Sequence, residues 1–293
     1  MASTREMRLR IKSIKDLSQV TRALKTVSAS KVRKAMASNA ASLAYSEKAW
    51  QVLTDLAKQP GHTSLHPLLC ERKNVDRILV IMVSSDKGLA GSYNLNILKH
   101  TLEHFDNYPQ PVDYVCVGKK GRDLLLRRKV RVIADFSELN DPVSFMDISP
   151  ISRLIVDDFL SEKYDQVFIS YTRFETMTKQ HTTIKKLLPL EVDGETSTAT
   201  RSSSVESVFI YEPAQETILD EIVPRFTGMQ IFQAVLSSQA SEYAARTIAM
   251  SNATDNANEL VGVLTLEYNK VRQQSITNDI LDIIGGAAVH GAN

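Results

Sequence analysis

Three short stretches hold residues whose types and spacing could do chemistry. Ser84-Ser-Asp-Lys-Gly-Leu-Ala-Gly-Ser92 follows an apolar run and precedes a helical pattern, where free helix amides can hold a phosphate. It matches neither GxxxxGK[ST] nor GxGxxG, so a glycine-bearing packing turn is expected. His100-Thr-Leu-Glu-His104 fits the H-x-x-E-H pattern of zinc peptidases, but no third ligand stands in a convincing position. A solvated helix face is expected there. Asn252-Ala-Thr254 fits a glycosylation sequon in the middle of a helical pattern and is discounted. No Ser/His/Asp or Cys/His set stands out, and no carboxylates pair as an acid/base couple. No catalytic, cofactor or metal site is expected.

Composition narrows the classes further. The chain has 293 residues, 43% hydrophobic and 24% charged, close to an ordinary soluble protein and long enough for a buried core. Its net charge of +1 argues against a nucleic-acid binder. Cys70 and Cys116 have no CxxC spacing, so two buried free thiols are expected rather than a disulfide. No stretch of 18 apolar residues and no apolar signal core occur, and an intracellular location is expected.

The elements that would position any site are unusual at the two ends. From Met1 to Gln59 there is neither glycine nor proline, the first breakers being Pro60 and Gly61. That predicts one helix over 1–59. Its apolar residues Ile11, Ile14, Leu17, Val20, Leu24 and Val27 predict a coiled-coil seam. After Pro224 only Gly228 and Gly262 interrupt a second run before Gly285-Gly286, and a helix over 212–286 is expected. Its helical spacing runs through Phe232, Val235, Leu236, Gln239, Tyr243, Ala253, Ala257, Leu260, Leu264, Tyr268 and Val271. Fifty helical residues extend about 75 Å. A compact domain of this size has a radius of gyration near ~19 Å. Two such rods must therefore pair with each other or with partners. Residues 1–35 hold ten basic and two acidic groups, a net of +8, and residues 212–284 ten acidic and four basic, a net of −6, so the rods attract.

The middle, 75–211, alternates strand and helix patterns. Ile78–Val83, Val112–Val117 and Asp165–Ser170 read as strands, with Leu95–Phe105, Gly121–Arg128 and Ile151–Leu160 as helices. Alternation of this kind predicts a Rossmann-like α/β domain with a mostly parallel sheet. Thr183–Leu188 and Val205–Tyr211 are candidate edge strands, and Gly194–Ser204 a loop or hairpin tip. The fold class expected is α/β: a long antiparallel coiled coil of the terminal helices carrying that domain.

These residues also carry a resemblance. Arg8-Leu-Arg-Ile-Lys-Ser-Ile-Lys15, Val20-Thr-Arg-Ala-Leu-Lys25 and Val27–Lys34 resemble the N-terminal helix of F-type ATP synthase gamma subunits. Ser85–Gly91 resembles that family's loop after the first strand. Ala249–Leu260, Leu264–Lys270, Arg272–Thr277 and Ile283–Ala288 resemble its C-terminal helix. The resemblance implies a central rotor shaft without an active site. Its partners would be the alpha and beta subunits of the catalytic hexamer, the epsilon subunit and the membrane c-ring, with one copy per complex and no nucleic acid. It implies contacts or coupling roles toward beta for Arg272, Gln273, Thr277, Arg246, Asp282, Lys87, Leu24 and Lys25. Leu190–Val208 has no cysteine, unlike the regulatory insert of chloroplast members, so thiol regulation of that kind is not expected. The cytoplasmic face of a bacterial plasma membrane is the expected location, with an organellar inner or thylakoid membrane as the alternative. Three rival readings stay open from the residues alone: an α/β enzyme with helical extensions, a coiled-coil tether, and a nucleic-acid binder.

Overall fold

Six consecutive apolar residues, Ile78–Val83, form β1, and every one of them is buried. A strand covered on both faces reads as a continuous apolar run, which is why it was legible. It is the centre of a five-stranded sheet of order β3-β2-β1-β4-β5, with β2 at Val112–Val117, β3 at Val132–Phe136, β4 at Gln166–Phe174 and β5 at Gln180–Leu188. The first four strands are parallel and β5 runs antiparallel to β4. The structure is a computed structural model. It describes residues 4–57, 66–72, 74–190 and 215–290; the side chains of 44, 45, 47, 51–57, 215–220 and 285–290 lie outside the description. The candidate strand Val205–Tyr211 and loop Gly194–Ser204 lie outside the described residues.

The helices are α1 (Thr4–Ala57), α2 (Tyr93–Phe105), α3 (Lys119–Arg127), α4 (Phe145–Leu160) and α5 (Gln215–His290). The chain divides into two compact units, one of residues 30–245 and the other of residues 1–29 with 246–293.

In the first unit, β1 alternates between two cores. Ile78, Val80 and Met82 meet Ile97, Leu98 and Phe105 of α2 and Leu125 of α3. Leu79, Ile81 and Val83 meet Ile148, Ile151 and Phe159 of α4 and the Val223–Leu236 stretch of α5. Trp50 of α1 joins this second core and stacks on Phe226 at 5.2 Å. Further along, Val32 and Ala35 of α1 pack on Ala240, Tyr243 and Ala244 of α5. Cys116 is buried between sheet and helix, and burial pushes its thiol up to about 12. Cys70, expected to be buried, is exposed, because it follows the short 3-10 turn Pro67–Leu69 rather than lying within it.

In the second unit, α1 and α5 run antiparallel side by side. Arg8 donates to the Tyr268 hydroxyl (2.8 Å), Ser18 to Asn258 Oδ1 (2.8 Å) and Lys25 to Ser251 (3.0 Å). The Thr21 and Thr254 hydroxyls lie 2.8 Å apart and buried. An advance of ten residues from Arg8 to Ser18 is met by a retreat of ten from Tyr268 to Asn258. The seam is the predicted one only in part: Ile11, Ile14 and Leu24 are half-buried. Leu17, Val20 and Val27 are 56%, 55% and 54% exposed, whereas Met7, Ser18, Thr21 and Ser28 are buried. From Met7 the seam steps by alternating fours and threes through Ile11, Ile14, Ser18 and Thr21, a true heptad with hydroxyl residues in place of apolar ones. Small side chains let the helices approach closely, and the cross-helix hydrogen bonds offset the burial of their hydroxyls. The opposite charges sit outside this seam, with Arg5, Arg10, Lys12, Lys15 and Arg22 exposed.

Thr21→Val is expected to cost about 1 kcal/mol, because the buried Thr254 hydroxyl loses its cross-helix partner and keeps only the Met250 carbonyl. Thr21→Val with Thr254→Val is expected to cost clearly less than the two single changes together, as apolar groups replace both partners. Urea unfolding of the four proteins checks this; strictly additive losses would show that the hydroxyl pair contributes nothing.

Candidate functional site

The loop after β1 was the strongest sequence candidate for ligand chemistry, and it is used up by the fold. Ser84 Oγ donates toward the Val117 and Gly118 carbonyls and accepts from the Gly121 amide at 2.9 Å. Asp86 accepts from the Lys119 amide at 3.0 Å and from the Glu138 amide at 3.1 Å. Lys120 N donates to the Ser85 carbonyl. The loop's polar side chains thus serve the start of α3, while at the start of α2, the helix that follows the loop, Tyr93 N donates to the Ala90 carbonyl and Asn94 Oδ1 turns back to accept from Ser85 N.

The other place for a ligand in a doubly wound sheet is the crevice beyond the strand ends where the order reverses, here between β1 and β4. α5 fills it. β1 pairs with β4 only as far as Ser170, so the next β4 groups facing that side need partners. Ser238 Oγ accepts from Thr172 N (3.4 Å), Ser237 Oγ accepts from Phe174 N (3.0 Å), and Ser241 Oγ donates to the Thr172 carbonyl (3.1 Å). Tyr93 at the start of α2 closes the gap with its hydroxyl 2.7 Å from Ser238 Oγ. A serine-rich turn of helix stands where a nucleotide would sit.

Nor does His100-Thr-Leu-Glu-His104 gather ligands. His104 packs on Phe105 and Tyr108, and among the described residues no three His, Cys, Asp or Glu side chains converge to hold a metal.

What remains is surface. Arg272, Gln273, Thr277 and Asp282 are all exposed on one stretch of α5, and Thr277 Oγ1 donates back to the Gln273 carbonyl at 3.0 Å. Arg8 of α1 meets Tyr268 of α5, and α5 continues beyond that contact to His290. Ile276, Ile280, Leu281, Ile283 and Ile284 on that stretch are exposed. So are Leu9, Leu17, Val20 and Val27 on α1 and Val263 and Leu266 on α5. These outward apolar residues were missed by sequence reasoning, which placed Leu17, Val20 and Val27 in the seam. Their signal was available in the unbroken 4-3 spacing from Met7. Apolar residues repeated along both helices, turned away from the seam, mark a surface made for another protein.

The remaining predicted residues fall elsewhere. Lys25 bonds Ser251 beside the half-buried Leu24. Arg246, given a coupling role by the resemblance, is only 8% exposed. Lys87 lies in the loop after β1, and its charge helps hold the Asp141 carboxyl below the usual range. Leu89 beside it is exposed, with a positive φ of 64°.

One unit is a helix pair with an inward polar seam and outward apolar faces, and the other holds a Rossmann-like domain whose crevice is filled by its own helix; both features suit a subunit of a larger assembly. Comparison with known proteins agrees. Residues 3–289 match the ATP synthase family. The chain is 44% identical over 292 residues to the ATP synthase gamma chain of Dehalococcoides mccartyi, covering 98% of this chain and 99% of that one. It is 40% identical to that of a Roseiflexus species, covering 98% of each. Two structures of the Euglena gracilis mitochondrial ATP synthase share the fold. Its rotor in rotational state 1 gives a TM-score of 0.64 at 18% identity over 93% of this chain and 98% of that one. Its OSCP/F1/c-ring assembly in rotational state 3 gives 0.68 at 20% identity over 99% and 95%. This chain belongs to the ATP synthase gamma-chain family. Membership makes it a non-catalytic subunit of the central stalk of an F-type ATP synthase, and no described helix is long and apolar enough to cross a membrane.

Proposed function

We propose that this chain is the rotating shaft that couples proton flow through the membrane c-ring to conformational cycling of the catalytic beta subunits. One copy stands in each hexamer of alpha and beta, and the α/β domain meets the epsilon subunit and the ring. Helical segments 1–59 and 212–286 form the shaft, and segment 75–211 forms the foot. Arg272, Gln273 and Thr277 contact beta, Arg246 and Asp282 act in coupling on the same helix, Leu24 and Lys25 pass the lower bore, and Lys87 faces beta from its loop. The bacterial relatives support a place on the cytoplasmic face of the plasma membrane.

The observation that supports this best is the α5 stretch beyond Arg272, where Ile276, Ile280, Leu281, Ile283 and Ile284 are exposed among the described residues. An asymmetric shaft works by differential binding: it favours a different beta conformation at each face it presents. No group on the shaft needs to touch nucleotide for that.

The test is MgATP hydrolysis by alpha and beta from the same source, with and without this chain, after gel filtration. Co-elution of one copy per hexamer with a rise to sustained turnover is expected. A chain that elutes apart and leaves hydrolysis unchanged would refute the proposal.

A further inference from the structure

A rotating shaft must be gripped by the part that receives the torque, and one carboxylate holds both long helices. Asp141 lies in the loop between β3 and α4. Its Oδ2 accepts from Lys31 Nζ of α1 at 2.5 Å and from the Tyr243 hydroxyl of α5 at 2.9 Å. The Lys31 ammonium also sits over the Tyr243 ring at 5.3 Å. Tyr243 is buried, and its hydroxyl is further fixed by Gln239 Nε2 at 3.3 Å. These are three elements meeting at one oxygen.

The loop itself is braced at both ends. On the α4 side, Asp147 accepts from Ser144 N (2.8 Å), Ser144 Oγ (2.9 Å) and Asn140 Nδ2 (2.6 Å), closing a capping box over the helix start. On the β3 side, Glu138 pairs with Lys119, and its amide is held by Asp86. A braced loop carrying a charge shared by two helices transmits a sideways load, where a slack loop would yield. The charge state suits the role: burial opposes ionisation of Asp141, yet the Lys31 and Tyr243 hydrogen bonds and the Lys31 and Lys87 charges outweigh it and hold the carboxyl below the usual range.

We propose that Asp141, with Lys31 and Tyr243, is a clamp that locks both shaft helices to the α/β domain so that torque applied to the domain reaches the helices. Asp141 is a positioning residue, and its role rests on the shaft function proposed above. Hydrolysis by the soluble complex turns an unloaded shaft and depends little on the clamp. Work against a proton gradient loads it.

The experiment uses the complete complex in sealed vesicles, comparing protons pumped per ATP hydrolysed for the parent, Asp141→Asn, Lys31→Gln, Tyr243→Phe and the Asp141→Asn/Lys31→Gln pair. The parent chain must pump; a parent that hydrolyses without pumping refutes the shaft reading and not the clamp alone. Given a pumping parent, each single change is expected to lower the pumping ratio about threefold while hydrolysis stays within about twofold. The pair is expected to do no worse than Asp141→Asn alone, because both act through one contact. Tyr243→Phe removes a single hydroxyl and keeps the ring, so it carries the test if the carboxylate change impairs folding. Unchanged pumping ratios in assembled variants, or losses that multiply in the pair, would overturn the clamp.

Discussion

Gly118→Ala is expected to destabilise the chain by about 3 kcal/mol, lowering its melting temperature by roughly 8 °C. Gly118 joins β2 to α3 with φ at +104°, where an L side chain is strained. A Cβ there would stand 2.5 Å from the Ser84 carbonyl oxygen and 2.8 Å from Ser84 Oγ, and the first of these is backbone. Ser84 has little freedom to retreat, because the same hydroxyl is bonded to Val117, Gly118 and Gly121. Gly88→Ala in the neighbouring loop is the matched control: its Cβ would meet only Lys120 Cε, at 3.9 Å, and a change within about 0.5 kcal/mol is expected. Calorimetry of the purified chains separates the two. If Gly118→Ala melted like the control, the claim that this loop is consumed by packing would fail, and its resemblance to a phosphate loop would need to be reconsidered.

The strands whose bounds were legible in the sequence share one property: they are buried on both faces. β1 and β2 match their predicted bounds because helices above and below make each an apolar run, broken only by Asp113 of β2, which is buried against Arg77. β3, Val132–Phe136, was missed. It is an edge strand whose residues are half-buried or exposed, so Val-Ile-Ala-Asp-Phe shows neither a clean run nor a clean alternation. β4 continues past the predicted Ser170 to Phe174 because β5 pairs with it as far as Gln180 and α5 serines take over from β1 on the other side, a tertiary fact with no local signature. The coiled-coil seam was legible only in part, with Leu17, Val20 and Val27 misplaced, for the opposite reason. Apolarity was followed where spacing should have been, and in this helix pair apolarity and burial part company. Ser18 and Thr21 are inside and Leu17 and Val20 outside. An isolated protein gains nothing from that arrangement, since burying Leu17 and Val20 would contribute on the order of 2 kcal/mol each. It becomes sensible when a partner covers the outer face, so the misplacement itself points to assembly. Asp141 had no sequence signal: its partners are more than a hundred residues away in both directions.

Arg272→Ala with Gln273→Ala is expected to lower ATP synthesis by about tenfold while leaving the chain folded and incorporated. Both side chains are exposed, so neither contributes to this chain's own core, and exposed helix positions changed to alanine cost within about 0.5 kcal/mol. Any large effect must therefore come from a partner. Arginine is over-represented among residues that dominate interfaces, and loss of a desolvated charged contact costs 2 kcal/mol or more, roughly thirtyfold in an equilibrium. The pair sits at the start of the stretch carrying the exposed Ile276, Ile280, Leu281 and Ile283. A polar anchor beside a bare apolar ridge is the pattern of an interface centre with its surround. Lys270→Ala, two residues earlier and also exposed, is the comparison, with a change of less than about twofold expected. Synthesis by membrane vesicles under an imposed proton gradient measures both. Parent-like synthesis from an assembled Arg272/Gln273 variant would remove these residues from the coupling surface and shift the weight to the apolar ridge. A loss matched by Lys270→Ala would mean that net charge on the shaft, rather than a specific contact, sets the rate.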